Sequence, residues 1–89
     1  MQHKEVTIIN KLGLHARAAA KLVQTASAFS SDITVAHNSK KVSGKSIMGI
    51  MMLAASRGTT VEIITVGTDE QEAMQALETL ILDRFGEGE

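Results

Sequence analysis

The sequence predicts an α+β fold, with one antiparallel sheet carrying helices on one face and open to water on the other. Three observations predict it. Four short segments are rich in β-branched residues, and three segments space their apolar residues as helices do. Their order, β-α-β-β-α-β-α, lacks the regular βαβ rhythm of a parallel sheet. At 89 residues the chain forms a single domain over 1–89, with a stability of roughly 5–10 kcal/mol. No linker, internal repeat or low-complexity stretch divides it.

EVTIIN (Glu5–Asn10) reads as the first strand, Val6 and Ile8 alternating with Thr7 and Ile9. KLG breaks the alternation, and from Ala16 the period changes. Ala16, Ala19, Ala20, Val23 and Ala26 fall on one helix face, widened by Leu22. Ser30, Ser31 and Asp32 mark its exit. DITVAH is the second strand, with Ile33 and Val35 on one face, and HNSKK is a polar turn. A short third strand centres on Val42, and its lysines suit a sheet edge. SIMGIMMLAAS is a short helix, RGTT a turn, and Thr60–Gly67 the strongest strand. Thr68 opens the last helix, with Gln71 three residues on as a capping-box partner. Asp69, Glu70 and Glu72 favour its first turn electrostatically. Ala73, Leu77, Leu80, Ile81 and Arg84 complete its amphipathic face, and GEGE is a frayed acidic tail.

The start of the first helix is unusual. A helix start leaves about four backbone N–H groups without partners. Ser, Thr, Asp or Asn caps them well, and His does not. His15 nevertheless holds that position, behind Gly13. The N–H groups of Ala16 and Arg17 are then open to an anion, which the helix dipole also favours. Arg17 adds a guanidinium suited to phosphate or carboxylate. An isolated histidine at such a junction is ordinarily a plain surface residue. Gly13, His15 and Arg17 together point to an imidazole nucleophile beside an anion cradle. His3, in the N-terminal tail, and His37, at a strand–turn edge, lack such neighbours. No metal-ligand spacing is present, and no metal or cofactor is expected.

Gly44–Ser46 reads GKS, but position 39 is Ser39 where a P-loop needs glycine. Ser46 is instead an N-cap for the helix behind it. That helix carries Ile47, Met48, Ile50, Met51, Met52 and Leu53, with almost no polar face. The residues alone leave open whether it is simply buried or turns one side to a partner. Methionine suits a surface that must fit several partners.

Bulk properties exclude several classes. Net charge is −1 and the only aromatics are two Phe, so neither a basic patch nor base-stacking platforms mark a nucleic-acid binder. There is no Cys, hence no disulfide framework or thiolate zinc site. No signal peptide or membrane-length apolar run appears, and a cytoplasmic, soluble protein is expected.

KLGLHARAAAKLV resembles the active-site segment of HPr, the histidine-containing phosphocarrier family of the bacterial phosphoenolpyruvate-dependent phosphotransferase system. EVTI, GLHAR, GKSIMGIMML and the final amphipathic helix follow the family's order across essentially the whole chain. The resemblance implies the HPr-like open-faced β-sandwich, a four-stranded antiparallel sheet with three helices on one face. It implies a monomeric phosphoryl carrier, itself a substrate and not a turnover enzyme. Phosphorylated Enzyme I would phosphorylate Nδ1 of His15, and EIIA domains would receive the group. Arg17 would balance the phosphate charge, with the N–H groups of Ala16 and Arg17 as donors. Ala20, Ile47, Met48 and Met51 would dock the partners.

The resemblance also implies a regulatory phosphorylation at Ser46 by an HPr kinase/phosphorylase, beside the plain N-cap reading. One departure is visible: Ala18 stands where the family usually has proline. A nitrogen-branch carrier with a mainly regulatory role is the alternative within the family, and a regulatory binding module on the same fold the alternative outside carrier function.

Overall fold

The computed structural model describes residues 1–89. Four strands form one antiparallel sheet in the order β1-β4-β2-β3: β1 Gln2–Thr7, β2 Asp32–His37, β3 Lys40–Ser43 and β4 Thr60–Val66. Three helices, α1 Ala16–Ser27, α2 Ile47–Met52 and α3 Glu70–Leu82, cover one face. A 3-10 turn at Arg84–Gly86 follows α3. No helix is long and apolar enough to cross a membrane.

The period-two pattern of the strands decides which face is covered. Val6, Ile33, Val35, Val61, Ile63 and Thr65 are buried beneath the helices. Their neighbours Glu5, Thr34, Ala36, Glu62 and Ile64 lie on the open face, exposed or half-buried. The central pair is β4 and β2, with Ile63 opposite Val35. Both edges are polar. On β1, Lys4 reaches Glu78 of α3 at 3.1 Å, which discourages a further strand from pairing there.

Several element boundaries differ from those the sequence predicts. The ladder of β1 begins at Gln2, three residues before the predicted Glu5, because residues 2–4 pair with 63–65 of β4. His3 therefore lies in a strand, its Nδ1 3.2 Å from Glu62, and not in a loose tail. The burial alternation Val6, Ile8, Asn10 does continue to the predicted end. In α1 the buried stripe is Ala18, Ala19, Leu22 and Ala26. Ala16 is exposed and Ala20 and Val23 are half-buried, so the true face is rotated from the predicted one.

The last helix departs further. Its N-cap is Asp69, not Thr68, and no capping box forms. Asp69 instead accepts hydrogen bonds across the fold, from the Ser30 N–H at 2.9 Å, the Ser31 N–H at 3.0 Å and the Ser31 hydroxyl. Arg84 falls outside α3. Arg84 and Phe85 both take positive φ, 54°, and with Gly86 and Gly88 at 74° and 76° they turn the chain back toward the start of α1. Phe85 is completely buried and anchors this return. The GEGE segment is thus tied down through Glu87 and Glu89 and not frayed, although Gly86, Gly88 and Glu89 stay exposed.

Candidate functional site

His15 is the N-cap of α1, with extended backbone (φ −74°, ψ 178°) and no side-chain cap bond. The first helical hydrogen bond runs from the Ala19 N–H to the His15 carbonyl at 2.8 Å. The N–H groups of Ala16, Arg17 and Ala18 therefore have no partner in the protein. Ala18 is fully buried and lies outside the cleft that His15 lines, so its N–H, which proline in its place would lack, is not open to a group held there.

The loop before His15 is fixed from two sides. Gly13 has φ +68°, and a Cβ there would lie 2.6 Å from the Ala55 carbonyl oxygen. That same oxygen accepts the Leu14 N–H at 2.9 Å, tying the loop to the exit of α2. Asn10, fully buried, donates its amide to the Gly13 carbonyl at 2.9 Å. Its Oδ1 is the one buried side-chain polar atom without a hydrogen-bond partner.

The imidazole is 28% exposed, and its two nitrogens differ. Nε2 is hydrogen-bonded to the Glu87 carboxylate, whereas Nδ1 has no partner. Glu87 also accepts the Asn10 amide at 2.9 Å. Burial pushes the Glu87 carboxyl up, but the hydrogen bonds from Asn10 and His15 and the charges of His15 and Arg17 outweigh it. The net shift is downward, so Glu87 is a carboxylate. The Arg17 guanidinium is exposed and makes no hydrogen bond or ion pair of its own. His15, Arg17, Lys11, Lys21, Glu87 and Glu89 line one cleft of about 560 Å3. A slightly larger groove of about 590 Å3 lies between Thr25 and Glu72–Asp83 and offers no cation to an anion. Nowhere do three His, Asp or Glu side chains converge on a metal position.

The arrangement is a partnerless imidazole nitrogen on a helix N-terminus with open N–H donors and a free guanidinium, all in one cleft. Such a site can hold an anionic group on or beside His15. A family model described as "PTS HPr component phosphorylation site" matches residues 2–83. The chain belongs to the HPr family. HPr proteins are phosphocarriers of the phosphotransferase system, and the four-stranded open sheet with three helices is the HPr fold. The phosphocarrier protein HPr of Cupriavidus necator is 60% identical over 89 residues, covering 100% of both chains. A crystal structure of HPr-C-His from Thermoanaerobacter tengcongensis is similar with 54% identity and a TM-score of 0.95, covering 98% of each chain. An HPr dimer from the same organism is also similar, with 54% identity and a TM-score of 0.79, over 98% of this chain and 100% of that one.

The other residues singled out in the sequence sit as follows. Ser46 caps α2, its hydroxyl accepting the Gly49 N–H at 3.0 Å. The helix is one short element of which Ile50 is buried, while Leu53 and Ala55 beyond its end complete the inward contact. Ile47, Met48, Met51 and Met52 are exposed, Met48 by 72%. Ala20 is half-buried on α1. Sequence reasoning missed Asn10 and Glu87. An Asn ending a strand before a glycine loop is a turn signal, and a Phe inside a polar C-terminal stretch is a hint of an anchor.

Proposed function

We propose that this chain carries a phosphoryl group on Nδ1 of His15, taking it from phosphorylated Enzyme I and passing it to EIIA domains. The supporting observation is the asymmetry of the imidazole: Nε2 is occupied by Glu87, and Nδ1 is unpartnered at the start of α1. In the transfer the Nδ1 lone pair forms the N–P bond while the bond from phosphorus to the donor breaks, and the donor atom keeps its electron pair. Phosphoryl transfer needs chiefly positioning and charge stabilisation. The open N–H groups of Ala16 and Arg17 and the Arg17 guanidinium supply both.

The exposed Ile47, Met48 and Met51, with Ala20, form the docking face for Enzyme I and EIIA in this reading. A phosphate on Ser46 would set about two negative charges beside that apolar face and weaken docking, which is how an HPr kinase/phosphorylase would regulate the carrier. The protein acts as a monomer and in the cytoplasm.

The test is intact mass after incubation with phosphoenolpyruvate and Enzyme I, before and after mild acid. One acid-labile phosphate, absent in His15→Ala, is the expected result. No phosphate from either the sugar-branch or the nitrogen-branch Enzyme I would overturn the carrier reading. Uptake from the nitrogen-branch enzyme alone would assign the chain to that branch.

A further inference from the structure

The chain's last residues do more than end it. Four of the five residues from Arg84 to Gly88 have positive φ, so the backbone after α3 reverses as a specific structure. Phe85 is buried at its root. Its carbonyl oxygen accepts the Lys21 ammonium at 2.6 Å, and the Glu89 carbonyl accepts the Lys11 N–H at 2.6 Å. Between these two ties stands Glu87. One carboxylate oxygen takes the Asn10 amide, and the other meets His15 Nε2. Asn10 is fully buried and its amide is also bound to the Gly13 carbonyl, so it cannot turn away.

We propose that Glu87 is a positioning residue for phosphoryl transfer, holding the proton on Nε2 of His15 so that Nδ1 presents its lone pair. The inference rests on the carrier reading and deepens it. A neutral imidazole carries one proton on either nitrogen, and a carboxylate can only accept. Glu87 beside Nε2 therefore selects the Nε2–H tautomer and leaves Nδ1 as the nucleophile. Attack on phosphorus makes the ring cationic, because the new N–P bond forms while the Nε2 proton stays. Glu87 faces that developing charge and stabilises it, as the carboxylate of a Ser-His-Asp triad does for its imidazolium. When the group leaves for an acceptor, the N–P electron pair returns to Nδ1. The ring departs neutral with the Nε2 proton still in place, so no proton has to enter or leave the site in either direction. Asn10 aligns the carboxylate, and the strap built on Phe85 delivers it.

The test begins with 15N NMR of the unphosphorylated protein at alkaline pH, in wild type, Glu87→Gln and Glu87→Ala. The wild-type ring is expected wholly as the Nε2–H tautomer. Glu87→Gln, whose amide can donate to Nε2, shifts protons onto Nδ1, and Glu87→Ala gives a mixture. Steady-state phosphorylation by Enzyme I is then compared. The expected effect is a fall in kcat of about 10- to 100-fold for both variants, with KM for the carrier unchanged. A merely structural tail would leave the tautomer alone. An unchanged tautomer, or a changed tautomer with unchanged kcat, overturns the role of Glu87 while leaving His15 as the carrier. A wild-type chain that accepts no phosphoryl group overturns the carrier reading itself, whatever the tautomer.

Discussion

Lys21, in the middle of α1, donates its ammonium to the carbonyl oxygen of Phe85 at 2.6 Å, joining the first helix to the chain's end. The Phe85 ring beneath that carbonyl is completely buried. The tail is therefore part of the folded core and contributes to its stability. Phe85→Ala is expected to lose about 3–5 kcal/mol, a large share of the total for a chain of this size. Phe85→Leu should lose less, because the larger side chain leaves a smaller cavity. Urea unfolding of the two variants checks this. A loss below about 1 kcal/mol in Phe85→Ala would mean that the tail is not packed in solution.

Two glycines with positive φ separate backbone strain from close approach. Gly13 has φ +68° and no room for a Cβ, the Ala55 oxygen lying 2.6 Å from where it would sit. Gly58 has φ +89° and nothing within 4 Å of that position. Gly58→Ala should cost about 1 kcal/mol, from the left-handed conformation alone. Gly13→Ala should cost about 2–3 kcal/mol, because Ala55 must also shift. It should also slow phosphoryl uptake, since Leu14 and His15 hang on the same contact. Thermal denaturation and the uptake rate measure the two effects, and equal losses in the two variants would show that the Ala55 approach is relaxed.

What the sequence made legible was local, and what it hid was long-range. Gly13, His15 and Arg17 pointed to a candidate site because a poor cap residue, a glycine before it and an arginine after it are neighbours in the sequence. Ser46 was readable as a cap because its partner, Gly49, is three residues away. The alternation that puts Ile33 and Val35 on one face was readable for the same reason, and both are buried. Asp69 is the opposite case. Local pattern made it a first-turn charge behind a Thr68 cap, but its carboxylate is committed to Ser30 and Ser31, 39 and 38 residues away. Glu87 reaches His15 across 72 residues, a pairing no periodicity encodes. The rotated face of α1 was hidden because alanine at 16, 18, 19 and 20 gives hydrophobicity on every side, and only packing chooses among them.

The Asp69 contacts make acid stability testable. The hydrogen bond from the Ser31 hydroxyl, foremost, and the N–H bond from Ser30 lower its pKa from 3.8 to about 2. A carboxyl depressed on folding stabilises the folded state fully above its unfolded pKa. That contribution is lost as pH falls through the folded value. The loss attributable to Asp69 should therefore develop between pH 3.8 and about 2. Asp69→Asn should be less stable than wild type at neutral pH, and the gap should close over that window. Urea unfolding across it decides the matter. A gap independent of pH would show that Asp69 acts by shape alone.

Ser46 combines a structural task with the proposed regulatory one, and two substitutions separate them. Its hydroxyl accepts the Gly49 N–H, so Ser46→Ala should lose about 1 kcal/mol through the cap while leaving the surface charge unchanged. Ser46→Asp keeps a good cap and places a negative charge at the start of α2. That charge lies next to Ile47 and Met48, which are 44% and 72% exposed. An apolar partner face would have to desolvate it on docking. Ser46→Asp should therefore be nearly as stable as wild type yet raise KM toward Enzyme I. Ser46→Ala should do the reverse, losing stability with KM unchanged. Melting temperatures and steady-state phosphorylation of both variants give the answer. If Ser46→Asp left KM unaltered, a single charge at the head of α2 would not suffice to hinder docking, and the regulatory role would fall while the cap remained.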